Sequence, residues 1–213
     1  MTLYSRLAWC DPLGRTHKAA QYCARLARGG TKLLQRRFGL LGPYLRQKRL
    51  SIAVPLLPGR VLDIGCGPGL IAEHVPPQRY FGVDINPRVL SIASERFPRH
   101  QFSTNLPEGS FDTVVALAVI EHIPEPVRDS VVDWIEPLRS DGKLVLTTPH
   151  KAFRRVHEPG AAMGLASQSA AEEHETLFDR NSLVEALDTL PLVLETYRRF
   201  LFGMNQLFVF RKL

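Results

Sequence analysis

The residues best suited to chemistry form a glycine-rich stretch that follows a short apolar segment, Val61-Leu62-Asp63-Ile64-Gly65-Cys66-Gly67-Pro68-Gly69. Glycine adopts positive φ and lets a ligand lie against bare backbone. Backbone amides at the start of a following helix attract negative charge. The pattern therefore predicts a cradle for a nucleotide-type cofactor at the carboxyl end of a first strand.

A second apolar segment, Tyr80-Phe81-Gly82-Val83, ends in Asp84, nineteen residues after Gly65. An acid at that offset accepts hydrogen bonds from both ribose hydroxyls of an adenosine-containing cofactor. Two cofactors compete, a nicotinamide dinucleotide and S-adenosylmethionine. The dinucleotide fingerprint requires a small residue five positions after the first glycine, where this chain has Leu70. The remaining alternative is a glycine-rich turn in an unrelated α/β protein.

With Gly109-Ser110-Phe111-Asp112-Thr113-Val114-Val115 and Glu121-His122-Ile123-Pro124, these segments resemble the Rossmann-like, class I S-adenosylmethionine-dependent methyltransferases. The similarity spans about residues 58 to 150 and is greatest to the small-molecule branch, which includes ubiquinone-biosynthesis-type enzymes. The resemblance implies an α/β fold: a doubly wound, mostly parallel seven-stranded sheet with a C-terminal antiparallel hairpin and an N-terminal helical cap.

The same resemblance implies S-adenosylmethionine as methyl donor and S-adenosylhomocysteine as product. It puts Asp63 near the ammonium of the cofactor, Asp84 on the ribose and Ile85 against the adenine. The acid that such enzymes carry after the third strand is missing, and Asn105 and Leu106 are expected to contact the adenine instead. The predicted cofactor-binding residues are Asp63, Gly65, Cys66, Gly67, Gly69, Asp84, Ile85, Asn105, Leu106 and Leu117.

Catalytic residues are harder to identify, because a methyl sulfonium is already activated and the enzyme mainly aligns donor and acceptor. A base would help only where the acceptor loses a proton. Histidine titrates near neutrality, so His122 is the first candidate base and His150 the second, followed by His157 and His174. The alternative for His122 is a structural histidine that orders its loop.

The segment 151–178 is expected to form a lid or specificity loop at the carboxyl edge of the sheet. Within it, Arg154 and Arg155 would either hold a substrate phosphate or carboxylate or form a surface pair. The histidines and acids of this segment lack a trustworthy metal-ligand spacing, and no metal site is predicted.

Alternating strand and helix patterns must position these residues, as expected for parallel βαβ units. Residues 16 to about 50 are predicted to be helical with breaks, Pro43 beginning a helix that runs to about Ala53. Asp141-Gly142 is predicted to turn into the fifth strand, and Asp179 to cap a late helix. Strands are predicted at 60–64, 79–84, 100–103, 111–118, 142–148, 192–201 and 205–211, and further helices at 70–75, 87–96, 125–137 and 180–188.

The 213 residues suit a single globular domain, with a basic helical cap over 1–55 and a Rossmann-like core over 56–213. No apolar run approaches the roughly 20 residues that span a bilayer, and a secretory signal is not recognised. The cysteines, Cys10, Cys23 and Cys66, are expected to be reduced thiols. These features predict a cytoplasmic protein, with peripheral attachment to a membrane left open.

Charge is strongly divided along the chain. Residues 1–50 hold eleven Lys or Arg and one acid, whereas residues 51–213 hold sixteen basic and twenty acidic residues. The basic arm indicates an anionic partner, either an anionic small-molecule acceptor, a membrane surface or RNA, unless it is only a solvated helix face. The sequence thus predicts methyl transfer to a small-molecule or lipid-linked acceptor, with O-methylation as the default. An RNA methyltransferase and a non-catalytic adenosyl-ligand-binding protein are the alternatives.

Overall fold

A computed structural model describes residues 42–123, 126–151 and 177–213. Cys10, Cys23 and the helices predicted before residue 42 lie outside the described residues. So do most of the predicted lid, including Arg154, Arg155, His157 and His174.

One seven-stranded sheet organises the described residues, with strand order β3-β2-β1-β4-β5-β7-β6. Strands β1 to β5 are parallel, and β7 runs antiparallel to both β5 and β6. The predicted α/β fold with its C-terminal antiparallel hairpin is confirmed. The strands are β1 (Val61–Ile64), β2 (Tyr80–Val83), β3 (Gln101–Ser103), β4 (Phe111–Leu117), β5 (Leu138–Pro149), β6 (Leu192–Phe200) and β7 (Asn205–Lys212). The described α-helices are α1 (Gly42–Ala53), α2 (Pro87–Arg96), α3 (Val127–Ile135) and α4 (Arg180–Ala186).

Strands β1 and β4 lie side by side at the centre of the sheet. All four residues of β1 are buried, as expected for a parallel strand covered on both faces. The chain leaves β1 toward β2 on one side and later returns to β4 on the other. Ligands bind at such a switch point, outside the carboxyl ends of the strands, so the topology places a site above β1 and β4.

Two local predictions are wrong. Residues 70–75 form consecutive turns, with bonds such as His74 N–H to the Ile71 carbonyl, and no α-helix. The segment is too short to sustain a helix, because Gly69 has φ +78° before it and the prolines at 76 and 77 follow. Strand β5 begins at Leu138, upstream of the expected turn. Asp141, at φ +61°, lies at an irregularity inside the strand, where the register with β4 shifts.

Several helix boundaries agree with the expectations from sequence. The Asn86 side chain accepts a hydrogen bond from the Arg88 N–H and begins α2. Asp179 and Ser182 exchange side-chain and backbone hydrogen bonds in a capping box at the start of α4. Helix α1 has Pro43 in its first turn and ends at Ala53. These caps satisfy N–H groups that would otherwise lack partners.

Helix α1 packs on the sheet through its last turns. Leu50 and Ala53 are buried in an apolar cluster with Val61 of β1 and Val209 of β7. This helix therefore packs against one face of the sheet.

The connection between β6 and β7 is a tight turn with an unusual backbone. Leu201 and Phe202 have φ of +53° and +55°, and Gly203 has φ of +80°. The Arg199 Nη2 donates a hydrogen bond of 2.6 Å to the Gly203 carbonyl, which closes the turn. Left-handed conformations are uncommon for non-glycine residues, and two in succession hold the Phe202 side chain out in solvent.

Candidate functional site

A cavity of about 390 Å³ lies between α1 and the carboxyl ends of β1 and β4. It is the site that the sheet topology indicates. Five residues that the sequence singled out line it together: Asp63, Gly65, Cys66, Leu117 and His122.

The glycine loop after β1 has the backbone that its sequence predicts. Gly65, Gly67 and Gly69 have φ of +67°, +52° and +78°. A Cβ on Gly65 would lie 2.5 Å from Cγ2 of Val119, so the position accepts no side chain. A Cβ on Gly67 would meet no atom within 4 Å, and bare backbone there faces open space. The loop thus leaves room for a ligand to lie against the chain, and its residues fit an adenosyl cofactor.

Asp84 fastens this loop to the end of β2. One carboxylate oxygen accepts from the Gly67 N–H at 3.0 Å and the other from the Asn86 N–H at 2.9 Å. Burial raises the pKa of Asp84, and the two backbone hydrogen bonds oppose that shift. Each carboxylate oxygen has a second lone pair, so Asp84 can hold the loop and still accept from a ribose.

Asp63 is 3% exposed and lines the cavity. Its Oδ2 accepts a 2.7 Å hydrogen bond from the Tyr80 hydroxyl. The sequence did not single out Tyr80 for the site. Gly82 leaves room for this contact, because a Cβ there would lie 2.9 Å from the Tyr80 hydroxyl oxygen. Burial raises the pKa of Asp63 to about 7, while the Tyr80 hydrogen bond lowers it and the Asp84 charge raises it.

Tyr80→Phe should shift the pH dependence of cofactor binding upward. In the wild type, Asp63 ionises as pH rises through about 7, and we expect only the ionised carboxylate to attract the ammonium of S-adenosylhomocysteine. Affinity should therefore rise with pH and level off above that value. Removal of the Tyr80 hydroxyl raises the pKa of Asp63 further, so the rise should occur at higher pH. Calorimetric titration between about pH 5 and pH 8 measures this.

Tyr197→Phe is the matched control for that experiment, since its hydroxyl bonds to Gln206 in the C-terminal hairpin. The control should keep the wild-type midpoint. An unchanged midpoint in Tyr80→Phe would show that Asp63 does not pair with the ammonium.

Charged residues also line the cavity. Arg46 and Arg49 of α1 line it, facing Glu121 and His122 from the turn after β4. Glu121 is 1% exposed, and its Oε2 has no hydrogen-bond partner among the described residues. Burial raises the pKa of Glu121, opposed by the charges of His122 and Arg49. A buried carboxylate oxygen without a described hydrogen-bond partner, close to the charge of Arg49, marks this part of the cavity as a place for a polar ligand.

Arg49 also connects α1 to the last strand. Its Nε donates to Oδ1 of Asn205 at the start of β7, over 3.2 Å. Burial lowers the pKa of Arg49, and the negative charge of Glu121 opposes that shift. Arg46 and Arg49 lie three positions apart on one helix and therefore share a face. The sequence does carry this signal. Nothing in the sequence indicates that Asn205 lies nearby.

The turn between β4 and the cavity is strained. Ala118 lines the cavity at φ +58°, and its N–H donates to the Thr147 carbonyl of β5 at 2.8 Å. His122 follows as the last residue of a short 3-10 turn over Ile120–His122 and is half-buried at the cavity wall. Left-handed non-glycine residues cluster at functional sites, where surrounding contacts hold them in place.

The second candidate base lies elsewhere. His150 follows β5, and its N–H donates to the Met204 carbonyl in the hairpin turn. Its Nδ1 is 3.4 Å from the Arg199 guanidinium. Burial and the Arg199 charge lower the pKa of His150. Of the candidate histidines that the structure describes, His122 lines the cavity and His150 does not.

Three more of the predicted residues follow the carboxyl ends of β2 and β3. Ile85 is half-buried directly after Asp84. Asn105 is exposed, and its backbone N–H donates to the Ser103 hydroxyl. Leu106 packs against the larger apolar core. These three residues do not line the cavity, and their contacts with adenine stay predictions.

Cys66 is a buried free thiol whose pKa is raised by burial, which favours packing over reactivity. Within the described ranges, no group of three or more metal-ligating side chains comes together. No described helix has the length and apolar character to cross a membrane.

Comparison with known proteins agrees with this geometry. Residues 21–195 match the family described as "Methyltransferase domain". A ubiquinone biosynthesis O-methyltransferase of Coxiella burnetii is 25% identical over 127 residues, 54% of this chain and 53% of that protein. A trans-aconitate 2-methyltransferase of Rhodopseudomonas palustris is 32% identical over 154 residues, 68% of this chain and 57% of that protein. The chain thus spans little more than half the length of these curated relatives.

Solved structures show the same fold. The magnesium protoporphyrin IX methyltransferase of Synechocystis PCC 6803 with bound S-adenosylhomocysteine superposes with a TM-score of 0.62 at 17% identity. The match covers 92% of this chain and 95% of that one.

Proposed function

We propose, since the chain belongs to the methyltransferase domain family, that it binds S-adenosylmethionine and transfers its methyl group to a small anionic acceptor. The observation that carries the proposal is the cavity at the switch point. Asp63, Gly65 and Cys66 line it together with the two arginines of α1.

Asp63, Asp84 and the glycine loop suit an adenosyl cofactor. Asp63 would attract the ammonium of the cofactor, the loop amides would lie along its amino-acid part, and Asp84 would accept from the ribose hydroxyls. When bound, S-adenosylmethionine supplies a methyl group on a positively charged sulfur. The chain itself has only to hold the acceptor in line with that group and keep water out.

The two arginines of α1 suit the acceptor. Arg46 and Arg49 present two positive charges against the single carboxylate of Glu121, whose pKa is raised. An acceptor carrying a carboxylate or phosphate would pair with these guanidinium groups. A hydroxyl or amine on the same molecule would then face His122. O-methylation is our default, and a lipid-linked acceptor fits the same chemistry.

Parallel calorimetric titrations with S-adenosylmethionine, S-adenosylhomocysteine and NAD test the cofactor. Binding of the first two alone supports the proposal and justifies a screen of carboxylate and phosphate acceptors. Binding of NAD in their place would identify a dehydrogenase and overturn it. Binding of adenosyl ligands without turnover on any acceptor would favour the non-catalytic alternative.

His122→Ala tests whether this residue removes a proton from the acceptor. General-base catalysis contributes at least about a hundredfold, so turnover should fall by that factor while affinity for S-adenosylhomocysteine stays unchanged. Production of S-adenosylhomocysteine on the acceptor identified by the screen measures it. His74→Ala, a change at an exposed histidine, is the control. Wild-type turnover in His122→Ala would return His122 to a structural role.

A further inference from the structure

The turn between β6 and β7 presents an aromatic side chain that the fold does not use. Phe202 is 101% exposed, and the left-handed backbone at Leu201 and Phe202 holds it away from the core. Such backbone costs about 1 kcal/mol or more at each residue. A solvent-exposed ring buries no apolar surface on folding and so does not offset this cost. The feature therefore points to a contact outside the chain.

Basic residues surround this ring. Tyr44 and Lys48 of α1 and Arg198 and Arg199 of β6 line one shallow groove with Phe202. Tyr44 is itself 50% exposed, and Lys48 Nζ lies 5.7 Å from the centre of its ring. No acid is among the described residues that line the groove. We call these five residues the hairpin patch.

We propose that the hairpin patch docks on the surface of an anionic lipid bilayer. Phe202 would enter the headgroup region, Tyr44 would lie at its level, and the three cations would face the lipid charges. Amphipathic aromatic side chains prefer that interface, and each Lys or Arg near an anionic surface strengthens binding about fivefold. A patch with two exposed rings and three cations has the composition of a peripheral membrane contact.

The chain outside the described residues strengthens the charge argument. Residues 1–41 contain eight Lys or Arg and one acid, and they join α1 at Gly42, two residues before Tyr44. That basic segment therefore connects to the chain beside the hairpin patch. Its charge would add to the attraction of the same lipid surface.

The hairpin patch also has a defined position relative to the cavity. Helix α1 contributes Tyr44 and Lys48 to the patch and Arg46 and Arg49 to the cavity. Docking would hold α1, the helix that lines the cavity, at the membrane. Given the proposed function, the acceptor would then be an anionic amphiphile drawn from the bilayer, although docking itself does not require methyl transfer.

Vesicle sedimentation of the full chain tests the proposal, with vesicles of phosphatidylcholine alone and of phosphatidylcholine mixed with phosphatidylglycerol. The wild type should pellet with the mixed vesicles and be released by salt. Phe202→Asn should weaken binding about tenfold, since asparagine tolerates the left-handed backbone and keeps the turn folded. Arg198→Gln should weaken it about fivefold.

Controls lie on elements away from the patch. Val132→Asn replaces another exposed apolar residue, which lies on α3 and is 44% exposed. Arg99→Gln replaces another exposed arginine, which lies next to β3 at the opposite edge of the sheet. Both should bind vesicles as the wild type does. Every variant should keep its thermal unfolding midpoint and its affinity for S-adenosylhomocysteine, which separates failure of docking from failure of the proposed function.

Three outcomes would overturn the proposal. The wild type could remain in the supernatant with mixed vesicles. Phe202→Asn and Arg198→Gln could both pellet like the wild type, which would assign binding to the arm alone. Gel filtration could show a dimer that Phe202→Asn dissociates, which would assign the hairpin patch to a second copy of the chain.

Discussion

Asp84→Ala is expected to weaken binding of S-adenosylmethionine and S-adenosylhomocysteine about a thousandfold. Two charge-assisted hydrogen bonds to the ribose would be lost, each worth about 2 kcal/mol. The Gly67 and Asn86 N–H groups would lose their acceptor as well, so the loop would be less well held for a ligand. Titration calorimetry with both ligands measures the loss.

Asp84→Asn separates the loss of the hydrogen bonds to the ribose from the loss of the acceptor that holds the loop. An amide oxygen still accepts from one N–H of the loop, but the side chain no longer carries charge. Its affinity should fall between those of the wild type and Asp84→Ala. Asp188→Ala, at an exposed aspartate after α4, should bind as the wild type does. Wild-type affinity in Asp84→Ala would remove Asp84 from the cofactor site.

Arg49→Met is expected to lower the free energy of unfolding by about 3 kcal/mol, because removal of one partner leaves a buried charge uncompensated. Glu121 is buried, and Arg49 supplies part of the positive charge that opposes its raised pKa. Asn205 would lose the donor that ties β7 to α1. Methionine keeps most of the side-chain length, so lost packing contributes little. Urea unfolding measures the loss.

The pH dependence of this loss tests its cause. The folded-state pKa of Glu121 is above its ordinary value of 4.5, so ionised Glu121 costs stability, and the cost disappears as acid protonates it. The deficit of Arg49→Met should therefore shrink as pH falls. Glu121→Gln should rescue most of the deficit when combined with Arg49→Met. Equal deficits at all pH values, without rescue by Glu121→Gln, would attribute the effect to packing.

The sequence predicted the central sheet well because its signals are local. The buried strands β1 and β4 are largely apolar segments. Asn86 and Asp179 cap α2 and α4 through bonds to residues two or three positions away. The glycine loop is equally local, since the positive φ at Gly65 and Gly67 favours glycine.

The remaining parts of the site depend on contacts between distant segments. Arg49 and Asn205 are 156 residues apart in the chain and meet only because β7 lies next to β5. Tyr80 reaches Asp63 because β1 and β2 pair with Val61 opposite Tyr80. Residues 70–75 show a prediction that failed for a local reason. Their apolar pattern predicted a helix, and the flanking glycine and prolines prevent it.

The position of β7 also affects how the protein is made. β7 pairs with β5 over seven residue positions and carries Phe208 and Phe210 into the core, yet it follows every other strand in the chain. A nascent chain that has emerged from the ribosome only as far as β6 would have β5 with an unpaired, apolar edge. Such an edge can pair with another unfinished chain. We therefore expect chaperone dependence to be greatest just before residues 205–212 leave the exit tunnel.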